Sequence, residues 1–372
     1  MSMQVSYKKQ FLFYLIFLSI ILMSIETILH IYDFTEPYCR SLMAVEVDFD
    51  EELRTQLCQD RNLLQVDPIT LEITPNQEFG TININNHGFR GEDITEHKLD
   101  GQYRIFMLGG STMQGDGVAD YQTIPFYLQR IFDEENPQYK IEVINAGCSS
   151  CHSFHETNKI KSKIIYLEPD LIFAYDGWND AVREVPNRLR VEITQTQENI
   201  TKKDESFAVK FLSFLREFKI FSSINRIVNY SGDSFRYLDR TIVPYDGQYT
   251  NEKLSEWSER WNETCKVLND MEIKSVISVQ PLLGSGNREM TKEESLWYKR
   301  YDNVNLLPDL EKYAFELSEI NQCTLTLDLR NSFNDVNEPL FFDNGHVGPK
   351  GNKIMAEKIY EKILPIIKNE LN

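Results

Sequence analysis

Short apolar runs separated by amphipathic stretches mark most of the chain beyond residue 101. Five runs stand out: "YRIFMLGG" (103–110), "KIEVINAG" (140–147), "PDLIFAYDG" (169–177), "KSVISVQP" (274–281) and "TLTLDL" (324–329). Their density of Ile, Val, Leu and Phe suits strands buried on both faces. Between and after them, apolar positions recur at helical spacing in "QTIPFYLQRIFDEE" from Gln122, near 154–167, near 252–270, in "PDLEKYAFELSEIN" from Pro308 and in "PKGNKIMAEKIYEKILPIIKN" from Pro349. Strands that alternate with helices predict an α/β architecture, a parallel sheet with helices on both faces, because each parallel pair needs a crossover that covers the sheet. Ligands bind such sheets beyond the carboxyl ends of the strands.

Two segments break this rhythm. Residues 36–100 read as an acidic, loop-rich lead-in with short strands, ending in "NINNHGFRGED". Residues 182–250 interrupt the alternation. There Phe207, Phe211, Phe214, Phe218 and Phe221 form one helical stripe, with Lys210, Arg216, Lys219 and Arg226 along the same stretch. The stripe predicts an inserted helix packed on the domain, or else a lid or a basic aromatic face resting on a membrane.

The N-terminus carries a third pattern, apolar all round. "FLFYLIFLSIILMSIETILHIY" (11–32) would rise about 33 Å as a helix, enough to cross a hydrocarbon core of roughly 30 Å. Lys8 and Lys9 precede it, whereas Asp33 and Glu36 follow. By the positive-inside rule this predicts an uncleaved anchor with the rest of the chain outside the cytoplasm. A cleaved signal peptide is the other reading, but no A-x-A pattern follows closely. The organisation expected is thus an anchor over 1–35, a lead-in over 36–100, and a main domain over 101–372 with its insertion at 182–250.

Composition narrows the partners. With 372 residues, 41% of them hydrophobic, the chain can bury a sizeable core, and a net charge of −18 argues against nucleic acid. An exported chain can oxidise its six cysteines, and the three N-x-S/T sequons at Asn199, Asn229 and Asn262 agree weakly with export. Cys148, Cys151 and His152 spell C-x-x-C-H, the spacing of c-type haem attachment, and His155 adds a fourth potential zinc ligand. The reading preferred here is that Gly147 matters, and that the two cysteines stiffen its loop as a local disulfide or as thiols. No metal and no cofactor are expected. His30, His87 and His97 read as surface or packing residues.

The remaining candidates sit at strand ends. Gly109 and Gly110 let the chain turn tightly and expose the hydroxyl and N–H of Ser111, although a serine after glycines is commonly only a helix cap. Gly147 offers an unobstructed N–H, and Asn179 in "DGWND" offers a side-chain amide. Near the C-terminus, Asp343 and His346 stand three residues apart in "DNGHVGPKGN". A hydroxyl, an imidazole oriented by a carboxylate, and several amide donors are the parts of acyl transfer. In that scheme Ser111 is the nucleophile, His346 its base and Asp343 the orienting acid. Ser111 N–H, Gly147 N–H and the Asn179 amide form the oxyanion hole. Asp180 reads as a helix-start acid, and Asp116 has no required role.

The blocks "GGST", "NAG", "GWND" and "DNGH", in that order, resemble the Ser-Gly-Asn-His (SGNH, or GDSL-like) hydrolase superfamily, and "NNHGFRG" is similar to its membrane-anchored members. The resemblance runs from about residue 84 to 368. It implies a flavodoxin-like three-layer α/β/α fold on a five-stranded parallel sheet, and a membrane-anchored extracytoplasmic serine esterase using the residues just named. The substrate would be an ester-bearing small molecule, lipid or acylated glycan. "GGST" stands where the namesake "GDS" would, and "DNGHVG" lacks the proline often found after the histidine. Two further functions stay open: an O-acyltransferase or deacetylase of surface glycans, and a non-catalytic surface binding protein. An α/β-hydrolase nucleophile elbow is disfavoured, because Met113 occupies the final glycine of G-x-S-x-G.

Overall fold

A computed structural model of the chain describes residues 6–35, 51–67, 70–182, 247–300 and 303–371. The phenylalanine stripe, nearly all of the 182–250 insertion, Cys39 and the start of the lead-in lie outside the described residues. The chain divides into two units, one comprising 1–38 and 195–246, the other 39–194 and 247–372.

Of the first unit only helix α1 (Tyr7–Thr35) is described. Its apolar side chains, among them Phe11, Phe13, Phe17 and Met23, are exposed around the helix. Its hydroxyls are satisfied internally: Ser19, Ser24 and Thr27 each donate to the carbonyl four residues earlier. A helix this long and apolar over Tyr7–Leu29 suits a membrane span or a signal sequence alike.

The second unit begins with α2 (Glu51–Leu63) and a small antiparallel pair, β1 (Gln77–Glu78) and β2 (Asn83–Ile84). Then follow β3 (Gln102–Gly109), α3 (Ser111–Gln114), α4 (Ile124–Glu135), β4 (Lys140–Asn145), α5 (Ser153–Ser162), β5 (Leu171–Asp176) and α6 (Trp178–Val182). After the insertion come α7 (Gly247–Asp270), β6 (Lys274–Val279), α8 (Lys292–Arg300), α9 (Asn303–Glu316), β7 (Leu325–Asp328) and α10 (Pro349–Leu371). The main sheet is parallel, in the order β4-β3-β5-β6-β7.

Both faces of the sheet are buried, as the unbroken apolar strands require. Phe106, Leu108, Ile172 and Ile277 pack beneath Ile160, Trp257, Trp261 and Leu310. Their strand neighbours Ile105, Met107, Phe173 and Val276 face the other way, toward Leu128, Phe132, Ile359 and Ile363. Helix α7 is also pinned to the end of β5, because the indole N–H groups of Trp257 and Trp261 donate to Asp176 Oδ2 at 2.7 and 2.9 Å.

The sequence pattern misses α2, α3, α6 and α8. Helices α3 and α6 have only one turn, and α8 (KEESLWYKR) is mostly charged. Helix α2 lies in the segment expected to be loop-rich. It carries no wide apolar stripe and is held by a small contact of Leu57 and Cys58 with Ala119. Tertiary packing, not periodicity, makes it a helix.

Candidate active site

The strand order reverses at β3: the chain crosses first to β4 on one side, then to β5 on the other. This opens a crevice at the carboxyl ends of β3 and β5, where open α/β sheets place their ligands. Ser111 opens α3 immediately after β3. The turn requires Gly109, whose φ of +153° is compounded by crowding: a Cβ there would lie 2.7 Å from Met113 Cβ and from the Tyr175 carbonyl. A Cβ on Gly110 would come within 2.4 Å of Asn179 Nδ2, and one on Gly147 within 2.3 Å of the Gln114 nitrogen. Only glycines let the loops after β3, β4 and β5 close on one another this tightly.

His346 and Asp343 arrive from the loop before α10. The stretch does not coil into a helix. Instead, Asp343 Oδ1 accepts the N–H groups of Gly345 at 2.8 Å and His346 at 2.7 Å, and the Phe342 N–H donates to the His346 carbonyl at 3.1 Å. This places Asp343 Oδ2 2.7 Å from His346 Nδ1, and His346 Nε2 2.7 Å from Ser111 Oγ. A neutral imidazole donating from Nδ1 to the carboxylate presents a lone pair at Nε2 to the serine hydroxyl. The ring is stacked on Phe342 at 5.8 Å and meets Trp178 edge-on at 5.1 Å.

Electrostatics favour a charged histidine here. Burial works to lower the His346 pKa, but the Asp343 charge and hydrogen bond, followed by the nearby Asp116, hold it above its ordinary 6.5. Burial likewise works to raise Asp343. The His346 charge, its hydrogen bond and the two backbone N–H groups hold that carboxyl below its ordinary range.

The amide donors flank the serine but are already engaged. Gly147 N–H donates to Asn145 Oδ1 at 3.1 Å, and Asn179 Nδ2 donates to the Cys151 carbonyl at 2.7 Å. Cys148 and Cys151 form a disulfide, as do Cys265 and Cys323. Both sulfurs of the C-x-x-C-H stretch are therefore consumed, leaving neither to bond a haem vinyl group or to ligate zinc as a thiolate. His155 is buried, which lowers its pKa to about 4. Asp180, in the first turn of α6, is buried and accepts the N–H and hydroxyl of Ser153 at 2.9 and 2.6 Å.

Several supporting residues escaped sequence reasoning. Arg90, from "NNHGFRG", is buried and gives its guanidinium to Asp120 Oδ1 and to the carbonyls of Gln114, Gly115 and Val118 at 2.6–3.0 Å. It thereby clamps the turn after the serine. Its N–H donates to the Asn145 carbonyl at 3.0 Å, tying the lead-in to β4. Glu294 Oε1 accepts from Arg288 at 2.6 Å and from the N–H groups of Leu340 and Phe341 at 3.0 and 3.2 Å, anchoring the loop that carries Asp343. The only advance signal was the polar "NNHGFRG" block itself.

Fold and site together define the class: an α/β enzyme that hydrolyses esters. Residues 105–359 match the family model of the GDSL-like lipases/acylhydrolases, and the chain belongs to that family. Similar solved structures include the acetyl xylan esterase AlAXEase, 13% identical, with a TM-score of 0.40 over 70% of this chain and 99% of that one. An acetylxylan esterase from Geobacillus stearothermophilus is 13% identical, with a TM-score of 0.40 over 70% and 94% of the two chains. A putative lipolytic protein of the G-D-S-L family from Desulfitobacterium hafniense is 12% identical, with a TM-score of 0.38 over 69% and 98%. No curated protein matches the chain.

Proposed function

We propose that the protein is a membrane-anchored serine esterase, held by α1 with its catalytic unit outside the cytoplasm. Ser111 is the nucleophile, His346 the general base, and Asp343 the group that fixes the imidazole tautomer and stabilises its charged form. One observation carries this reading: Asp343, His346 and Ser111 stand in a continuous series of 2.7 Å contacts. His346 takes the serine proton as Oγ attacks the ester carbonyl, then returns it to the departing alcohol. A water activated by the same imidazole releases the acyl group.

The developing oxyanion is met by Ser111 N–H, by Gly147 N–H, which exchanges its contact with Asn145 for the stronger charge, and by the second hydrogen of the Asn179 amide. Losing one such donor costs about 3–4 kcal/mol of transition-state stabilisation. Orientation is supported by Lys8 and Lys9 in the first turn of the helix and by disulfides that persist in oxidising compartments.

A membrane-impermeant fluorophosphonate applied to intact, sealed cells tests both parts. The expected result is labelling of the wild-type protein and none of Ser111→Ala. Labelling that survives the substitution rejects the nucleophile, and labelling that appears only after lysis rejects the orientation.

A further inference from the structure

Between the lead-in and the serine's own loop lies a pocket of about 120 Å³, lined by Arg61, Leu64, Val66, Leu71 and Ile73 on one side and by Gln114, Asp116 and Ser149 on the other. We infer that this pocket receives the acyl chain of the ester, and that the lead-in thereby sets the enzyme's preference for short, uncharged acyl groups. The inference rests on Ser111 as nucleophile.

Four observations support it. Half of the lining residues are aliphatic, and the two facing charges are paired with each other. Arg61 Nη2 donates to Asp116 Oδ2 at 2.7 Å, and the Ser149 hydroxyl donates to the same oxygen. The guanidinium is thus engaged rather than offered to a phosphate or carboxylate, so the pocket favours a neutral occupant.

The second observation is placement. Gln114 and Asp116 follow Ser111, while Ser149 follows Gly147 by two residues. The pocket therefore adjoins the loops of the two residues assigned to the carbonyl carbon and its oxygen. The alcohol must leave toward the imidazole, which is framed by Phe342 and Trp178. The substituent on the carbonyl carbon is the part left to occupy the pocket.

Size gives the third: the cavity, about 120 Å³, is small beside the roughly 300–1,000 Å³ of pockets that take drug-sized ligands, which suits a short chain. The fourth is conformational. Leu71 sits at φ +57°, a left-handed backbone that a leucine seldom adopts, two residues before Ile73, which bridges to Val66. Such strain is found where surrounding structure holds a residue in place at a binding site. All five lead-in residues precede the 105–359 family match, so this wall is built outside the segment that carries the family pattern.

The test uses the full-length protein in detergent with p-nitrophenyl esters from acetate to octanoate, comparing kcat/KM at constant alcohol. The wild type is expected to act on acetate through butyrate and to fall at least tenfold by octanoate. Leu71→Trp should lower the butyrate-to-acetate ratio about tenfold, whereas Leu64→Ala should raise the hexanoate-to-acetate ratio. Misfolding cannot produce shifts of opposite sign, and circular dichroism melts check each variant. If the wild type hydrolyses these esters but both variants keep its chain-length profile, or alter only the choice of alcohol, the pocket assignment is overturned and the nucleophile stands. If the wild type hydrolyses none of them, the pocket assignment is overturned, and Ser111 is judged separately by its fluorophosphonate labelling.

Discussion

At the residue scale, the proposed mechanism depends on how readily His346 gives up its proton. Its pKa is held above 6.5, chiefly by Asp343 against the opposing effect of burial. The base form needed for attack therefore accumulates only at higher pH, and the acidic limb of kcat/KM should lie above 6.5. Asp343→Asn removes the charge and leaves burial to dominate, so the limb should move to lower pH. At the same time kcat should fall by roughly 10³–10⁴-fold, because the tautomer is no longer fixed. A pH–rate profile of both proteins checks the two effects. Asp116 contributes in the same direction as Asp343, giving a residue that the sequence left without a role a place in the field around the imidazole.

At the scale of elements, the loops that carry the candidate residues are positioned by helices outside the site. The Arg288–Glu294 pair is almost fully buried, and Glu294 also holds the backbone at Leu340 and Phe341, just ahead of Asp343. Glu294→Gln leaves Arg288 buried without its counter-charge, a loss of about 3–5 kcal/mol. Urea unfolding should show that loss, with a fall in kcat as the loop loosens. Helix α5 shows the opposite case. Glu156 is fully buried, and neither carboxylate oxygen has a hydrogen-bond partner among the described residues. Burial, followed by Asp176 and Asp180, raises its pKa well above 4.5. The folded state therefore binds the proton more tightly than the unfolded chain does. Its contribution is complete below 4.5 and is lost as pH rises toward the folded value. Glu156→Gln should keep the shape without the titration, raising stability at neutral and alkaline pH and flattening the pH dependence of the unfolding midpoint.

At the scale of the molecule, a long loop is closed covalently. Cys265 in α7 and Cys323 before β7 are bridged across a sequence separation of 58. By loop-closure entropy such a bridge stabilises by about 4 kcal/mol, so Cys265→Ser with Cys323→Ser should lower the thermal midpoint by roughly 10 °C. Calorimetry of the wild-type and doubly substituted proteins, both kept oxidised so that Cys148–Cys151 stays closed, checks this. The lead-in matters at this scale as well. Through Arg90 and α2 it braces the turn after the serine, and through residues 61–73 it walls the neighbouring pocket.

How much of this was legible in the sequence follows from the range of the interactions involved. The five strands could be read because burial on both faces demands near-continuous apolar residues, and the long helices because one buried face imposes helical spacing. Both are properties of near neighbours. Helices α2 and α8 left no such trace: α2 is held by a small contact with the distant Ala119, and α8 by a single buried ion pair to Arg288, neither of which imposes a periodic pattern. The residue types of the site were legible from four short blocks. Their meeting was not: Ser111 and His346 are 235 positions apart, and only the strand order and the loop geometry before α10 bring them to 2.7 Å. The spacing of Cys148 and Cys151 allowed haem, zinc or a bridge, and the choice fell to a loop that holds their Cα atoms 5.5 Å apart. Local pattern and side-chain type were enough to show the five sheet strands, the long helices and the chemistry present, because those are properties of near neighbours. The tertiary structure decided which groups touch, because that depends on the packing of segments far apart along the chain.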